Sequence, residues 1–237
     1  AARDHILGFA GVNGRGETFK SGGRVMKNVT GFDLAKLIAG SYGTLAALTD
    51  VTVKVVPRPE KIRTVLVFGL SAADAVAAMR ESLASAHEVA AAAYLPKDAA
   101  QASAVDLVAR AGASVAALRI EGPGPSAEYR CRALRALLDA HGASEELHTQ
   151  NSEIFWREVR DAAVFTADRE AQIWRLSVPP ADGARAAGAI LARLKGRFFL
   201  DWGGGLVWLA LDPLPDAGAE VVRGVRPPEG GHATLIR

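Results

Sequence analysis

Residues 21–45 constrain the fold more than any other stretch. Glycines stand at 22, 23, 31, 40 and 43, around one short apolar run formed by Leu34, Leu37 and Ile38. The pair Gly22-Gly23 lets the backbone take positive φ, or approach a ligand, without steric cost. Asn28, Thr30 and Asp33 give a short amphipathic helix a polar start, and Gly40 gives it a stop. Gly40-Ser41-Tyr42-Gly43-Thr44 is a second glycine-bearing turn, after which residues 45–56 read as a strand. Two tight turns bracketing one helix present N–H groups and hydroxyls suited to an anionic or hydrogen-bond-rich ligand. The same spacing also describes a plain helix between ordinary turns.

The wording of this stretch carries a resemblance. Gly22-Gly23, the run Lys27-Asn28-Val29-Thr30-Gly31-Phe32-Asp33-Leu34, and Leu37-Ile38-Ala39-Gly40-Ser41-Tyr42-Gly43-Thr44-Leu45, closing on Val56-Pro57-Arg58-Pro59, resemble the second FAD subdomain of the vanillyl-alcohol-oxidase/p-cresol-methylhydroxylase (PCMH-type) flavoproteins. Within that family the Lys-Asn-Val-Thr-Gly wording is most similar to the FAD-binding subunits of bacterial glycolate oxidases. Two positions depart from the pattern. Phe32 stands where the family usually has Tyr, and Ala46 where it usually has Gly, so that a methyl group could narrow a backbone approach to the cofactor.

The resemblance implies an FAD-binding oxidoreductase subunit that oxidises glycolate to glyoxylate by hydride transfer to the flavin. It assigns Gly22, Gly23, Lys27, Asn28, Gly31, Asp33, Gly40, Ser41, Gly43 and Thr44 to the cofactor and leaves the catalytic base unnamed. It implies a catalytic flavoprotein subunit and an iron–sulfur subunit as partners, and a cytoplasmic protein whose contact with the inner membrane is made through that complex. Residues 1–59 would be the second FAD subdomain and 60–237 an α+β cap. An earlier FAD subdomain and a C-terminal tail are expected outside the sequence. A D-lactate or other D-2-hydroxyacid dehydrogenase is the alternative within the superfamily, and a non-catalytic scaffold subunit the alternative outside it.

Composition narrows the rest. A formal net charge of +2 gives no field that would gather nucleic acid or an anionic membrane. Nearly half the residues are hydrophobic, yet no uncharged run approaches the ~20 residues of a bilayer span. The single cysteine, Cys131, excludes an internal disulfide and a cysteine-ligated cluster within these residues. It lies between arginines in a helical pattern and reads as a buried thiol rather than a reactive one.

Taken in order, residues 6–12 read as a strand, Asn13-Gly14-Arg15-Gly16 as a hairpin turn and 17–20 as its return. Pro57 and Pro59 mark a boundary. Beyond it the pattern is strand, helix, strand, repeated. A strand at 64–68 precedes a Ser71/Asp74 capping box and a helix, and a strand at 89–95 follows. A helix at 97–111, a strand at 115–120, a turn at 122–125, a helix at 126–141 and a strand at 145–149 come next. Asn151 is expected to cap a helix bearing Phe155 and Trp156, and 172–178 to form a strand. Asp182 should cap a helix running to about 195, and 197–202 should pair through Gly203-Gly204-Gly205 with 206–211. This predicts an α+β fold, with an antiparallel or mixed sheet and helices on one face.

Three features invite sharper claims. Gly203-Gly204-Gly205 leads into a strand and lacks a following Lys-Ser/Thr, so it reads as a hairpin and not a phosphate loop. His5, His87, His141, His148 and His232 lack metal-ligand spacing, and no metal is expected. Arg157 and Arg160 beside Trp156 could hold a substrate carboxylate, against the plainer reading of solvated arginines on an amphipathic helix.

Overall fold

The computed structural model describes residues 2–25, 31–225 and 230–237. The chain divides into two compact units, Ala1–Arg58 and Pro59–Arg237.

In the first unit, strands β1 (Ile6–Asn13), β2 (Thr18–Gly22) and β3 (Ala46–Val53) form an antiparallel sheet with β1 in the centre. A four-residue helix, α1 (Ala2–His5), leads in. Asn13 builds the β1–β2 turn, its Oδ1 accepting from the N–H groups of Arg15 and Glu17, and Gly16 supplies the positive φ. Helix α2 (Leu34–Ile38) packs on β1 through Ala35 and Ile38, which with Ile6, Phe9 and Ala46 form the small core. Phe19 meets Phe9 edge to face.

The second unit is one eight-stranded antiparallel sheet. Its strands are β4 (Lys61–Phe68), β5 (Ala91–Leu95), β6 (Val115–Gly122), β7 (Ser144–Leu147), β8 (Gln172–Ser177), β9 (Gly196–Asp201), β10 (Leu206–Leu211) and β11 (His232–Leu235), in the order β11-β8-β10-β9-β5-β6-β4-β7. Its helices are α3 (Ala72–Ala84), α4 (Lys97–Gln101), α5 (Asp106–Ala109), α6 (Gly124–Leu138), α7 (Thr149–Arg160), α8 (Gly183–Leu191) and α9 (Ala219–Gly224). The succession β4-α3-β5-β6-α6-β7 is a split βαββαβ unit with strand order β7-β4-β6-β5. The succession β8-α8-β9-β10-α9-β11 repeats it with order β11-β8-β10-β9. The two repeats join edge to edge where Tyr94 of β5 pairs with Leu200 of β9.

Strand alternation sends one set of side chains to each face. Val65, Val67, Tyr94, Leu118, Trp174, Leu176, Leu200 and Leu209 meet α3, α6, α8 and α9 on the first face. Leu66, Ala93, Leu95, Ala117, Ile173 and Phe199 meet α4, α5, α7 and a 3-10 turn at Ala163–Phe165 on the second. The α+β class and the antiparallel sheet agree with expectation, but the restriction of helices to one face does not hold. The repeats' own helices obey it; α4 and α5, inserted between β5 and β6, and α7, inserted between the repeats, cover part of the other face. Fully burying a leucine or phenylalanine is worth roughly 1.5–3 kcal/mol, so both layers hold the sheet.

Three local expectations are corrected. The helix expected over 97–111 is two short pieces, because Glu158 of α7 accepts from Ser103 Oγ at 2.7 Å and from the Ala104 N–H at 2.6 Å, pinning the intervening chain. Helix α7 starts at Thr149 after a His148 cap, leaving Asn151 inside its first turn. Asp182 precedes α8, but its carboxylate takes the Arg185 guanidinium at 2.8 Å and leaves the helix N–H groups uncapped. Ser71 behaves as expected, accepting from the Asp74 N–H and donating to its carboxylate.

Candidate functional site

The site builds from the end of β2. Gly22 pairs with Gly8 across the β1–β2 ladder and has φ +75°. A Cβ on Gly22 would strike the Leu7 carbonyl oxygen, and one on Gly8 would lie 2.6 Å from the Gly23 nitrogen. The two backbones therefore touch, and the Gly23 N–H donates to Leu7 O at 3.3 Å. Beyond that contact lies a cavity of about 430 Å³ lined by Leu7, Ser21, Gly22, Gly23, Val25, Gly31 and Phe32. Among the cavity-lining glycines, Gly22 and Gly31 have positive φ. Gly23 differs: its φ lies outside the left-handed region, and among the described residues a Cβ there would meet nothing within 4 Å. Neither its backbone conformation nor packing against the described residues explains a glycine at 23.

Asp33 caps α2, its carboxylate accepting from the Lys36 N–H at 3.3 Å, while Lys36 Nζ donates to Ile6 O at 2.8 Å and ties the helix to β1. At the other end Gly40, Tyr42 and Gly43 all have positive φ. Thr44 closes this turn, its N–H and Oγ1 both donating to Ser41 O. The cofactor residues read from the sequence thus divide into three groups. Gly22, Gly23 and Gly31 come together around one cavity; Asp33 starts the helix; Gly40, Ser41, Gly43 and Thr44 form the turn after it. Lys27 and Asn28 lie outside the described residues. Leu7, Ser21, Val25 and Phe32 line the cavity without having been singled out as ligand contacts. The Gly22 register opposite Gly8 is a signal that could have found Leu7. Phe32 is 90% exposed and faces solvent at the cavity edge. Ala46 turns its methyl into the small core of this unit.

In the second unit Arg157 and Arg160 stand on the exposed side of α7, whose Phe155, Trp156 and Val159 are buried. Arg160 is engaged by Asp161, Nε to Oδ1 at 2.7 Å and a terminal nitrogen to Oδ2 at 2.9 Å, and this pairing holds the Asp161 carboxyl below its usual range. Trp156 Nε1 donates to Thr64 Oγ1 at 2.8 Å, and Thr64 shares a 2.6 Å bond with Ser152. Cys131 is fully buried, and burial, reinforced by Glu146, pushes its thiol up to about 12. Among the described residues, no group of three or more His, Cys, Asp and Glu side chains is placed to hold a metal ion, and no helix is long and apolar enough to cross a membrane.

No protein-family model matches the chain. It is 29% identical over 234 residues to the glycolate oxidase subunit GlcE of Escherichia coli K12, covering 99% of the chain and 55% of that protein. It thus spans about half the length of this relative. Shorter matches reach the glycolate oxidase subunit GlcD of Bacillus subtilis, 42% identical over 64 residues, and a D-lactate dehydrogenase of Anaerostipes hadrus, 35% over 65 residues; each covers 27% of the chain and 14% of the relative. Among solved structures, an alkyldihydroxyacetonephosphate synthase superposes with a TM-score of 0.64 at 14% identity, over 94% of the chain and 48% of the other. The p-cresol methylhydroxylase does so with a TM-score of 0.59 at 12% identity, over 93% and 53%. The fold is that of the PCMH-type flavoproteins. The likeness to GlcE runs the length of the chain, both units included.

Proposed function

We propose that this chain is the larger part of an FAD-binding subunit of a glycolate oxidase complex, whose reaction turns glycolate into glyoxylate. Gly23 carries the reading. It is a cavity-lining glycine that neither its own conformation nor packing against the described residues requires, as expected where a cofactor edge passes against bare backbone. The likeness to GlcE supports the choice of complex, and the GlcD and D-lactate dehydrogenase matches keep a small 2-hydroxyacid as the common substrate class.

In this reading Gly22, Gly23 and Gly31 form the wall against the cofactor. Asp33 fixes the helix start, and Gly40, Ser41, Gly43 and Thr44 offer backbone and hydroxyl groups from the following turn. Lys27 and Asn28 belong to the same set by sequence. Bound FAD supplies the acceptor for the substrate's hydride. The chain's residues orient the ring and exclude water from one side of it. Residues 1–59 serve as the second FAD subdomain and 60–237 as the cap. The Arg157 and Arg160 pair is a weaker substrate assignment, since Arg160 already holds a carboxylate. A catalytic flavoprotein subunit and an iron–sulfur subunit complete the complex, which works in the cytoplasm or against the inner membrane.

The test is flavin retention. The chain and the full-length subunit are incubated with FAD, freed of excess flavin and read by visible absorption. Retention by the full-length subunit that falls sharply in Gly23→Ala supports the proposal. A full-length subunit that holds no flavin rejects it and leaves the scaffold reading in its place; equal retention in the Gly23→Ala variant removes Gly23 from the cofactor wall.

A further inference from the structure

The turn after β9 is built against its own conformational preference. Trp202 has φ +54°, followed by Gly203 at +64° and Gly204 at +101°. A bulky residue in that region costs on the order of 1–3 kcal/mol and persists only where its surroundings impose it. They do so here. A Cβ on Gly204 would meet the Pro180 carbonyl oxygen at 2.5 Å, and one on Gly183 would strike Gly204 O, so the turn is clamped against the segment entering α8. The result is a tryptophan, 54% exposed, whose ring lies 5.2 Å from the Arg175 guanidinium.

Sheet register places Arg175 in mid-strand, opposite Trp208 of β10 on one side and Thr234 of β11 on the other. Directly opposed residues share a face, and two residues along that face Leu206 stands opposite Asp201. Arg175, Trp208, Thr234 and Asp201 are all only partly covered. Other buried or half-buried arginines of this unit are bonded: Arg63 to Glu146 and Glu128, Arg130 to Glu121 O, Arg135 to Ser144 O. The Arg175 guanidinium forms no hydrogen bond or ion pair among the described residues; it lies by the Trp202 ring and within electrostatic reach of the Asp201 carboxylate. A strained turn that serves a guanidinium with no hydrogen-bond acceptor is a poor investment for folding alone.

We propose that Arg175, with Trp202 laid over it, is a receptor for the carboxylate of a small 2-hydroxy monocarboxylic acid. The ring holds the guanidinium by its π-face contact, and the hydrogen-bond donors of the guanidinium, unpaired among the described residues, form a planar fork matched to a carboxylate. Asp201 biases the charge: beside its carboxylate a dianion is repelled about twice as strongly as a monoanion, so the guanidinium's attraction is offset least for a monoanion. Asp201 Oδ1 accepts from the Trp202 N–H at 2.7 Å, while its other oxygen makes no hydrogen bond among the described residues and is available to a ligand hydroxyl. The choice of acid rests on the function proposed above, but the site is a separate observation on a separate unit.

The test is a titration of the ¹⁵N-labelled 237-residue chain with glycolate at constant ionic strength, following the indole N–H resonances, that of Trp202 being assigned by its loss in Trp202→Phe. The expected result is a saturable shift of the Trp202 signal, not reproduced by inorganic phosphate and abolished in Arg175→Gln. In Arg175→Lys, which keeps the charge without the fork, affinity falls about tenfold, as for a lost charge-assisted hydrogen bond. Retained dispersion of the other indole signals shows that each variant folds. No saturable shift, a shift that survives Arg175→Gln, or equal binding of phosphate overturns the proposal. Flavin retention by the full-length subunit, read separately, shows whether the functional reading has failed with it.

Discussion

Gly22 lies against the Leu7 carbonyl so closely that its missing side chain is what lets β1 and β2 meet. Its neighbour Gly23 has room for a side chain among the described residues. The two glycines therefore respond differently to the same substitution. Gly22→Ala must adopt a left-handed φ and push Leu7 away, and it is expected to destabilise the chain by at least about 2 kcal/mol. Gly23→Ala carries neither burden and should stay within about 0.5 kcal/mol of the parent, while flavin retention by the full-length subunit falls. Urea midpoints at unchanged slope, set beside flavin absorbance, separate the two. Equal destabilisation would show that Gly23 has a structural role.

The buried chain Trp156–Thr64–Ser152 ties α7 to β4 by hydrogen bonds of 2.8 and 2.6 Å. Thr64→Val keeps the shape and removes the shared oxygen. It leaves the Trp156 N–H and the Ser152 hydroxyl without that partner, at an expected cost of about 2 kcal/mol. Adding Ser152→Ala should recover part of the loss, because one stranded group disappears. A purely additive double variant in urea unfolding would count against the coupling.

Cys131 is predicted to be silent toward a thiol reagent in the native protein at neutral pH. It is fully buried and its thiol is pushed up to about 12, and it is the thiolate that reacts. A disulfide-exchange reagent should label one equivalent rapidly in denaturant and only at the rate of opening without it. Rapid native labelling would mean that α6 exposes this face.

Which parts of the molecule could be read from residue order follows from the range of the interactions involved. Ser71 with Asp74, and Asn13 with the turn behind it, act within four residues, and the structure has them as the sequence suggests. The recurrence of strand, helix and strand was also visible, since each repeat carries its own periodicity. Glu158 breaking the 97–111 helix was not, because the carboxylate arrives from more than fifty residues away. Nor were helices on the second face: alternating apolar residues mark a strand as buried without saying what buries it. At the candidate site, the glycines at 22, 23 and 31 were legible as a group, and the cavity joins them. The cluster at Arg175, Asp201 and Trp202 was hidden, because it depends on which residues face each other across β8, β10 and β9. Gly203-Gly204-Gly205 does lead into a hairpin strand, and what the sequence could not show is the left-handed tryptophan before it.

Asp201 supplies a pH signature for that turn. Burial raises its carboxyl from 3.8 to about 6, against the opposing pull of the Trp202 N–H and Arg175. The folded protein therefore binds this proton more tightly than the unfolded chain. The linked contribution to stability is fully present below pH ~4 and is lost as pH rises through about 6. Other carboxylates titrate in the same window, so the informative quantity is the difference between the parent and Asp201→Asn. The amide keeps an acceptor for the Trp202 N–H and cannot ionise. Its stability relative to the parent should improve between pH 4 and 6.5 and level off above. A difference that stays flat across this range would place the Asp201 carboxyl in water, with an ordinary titration.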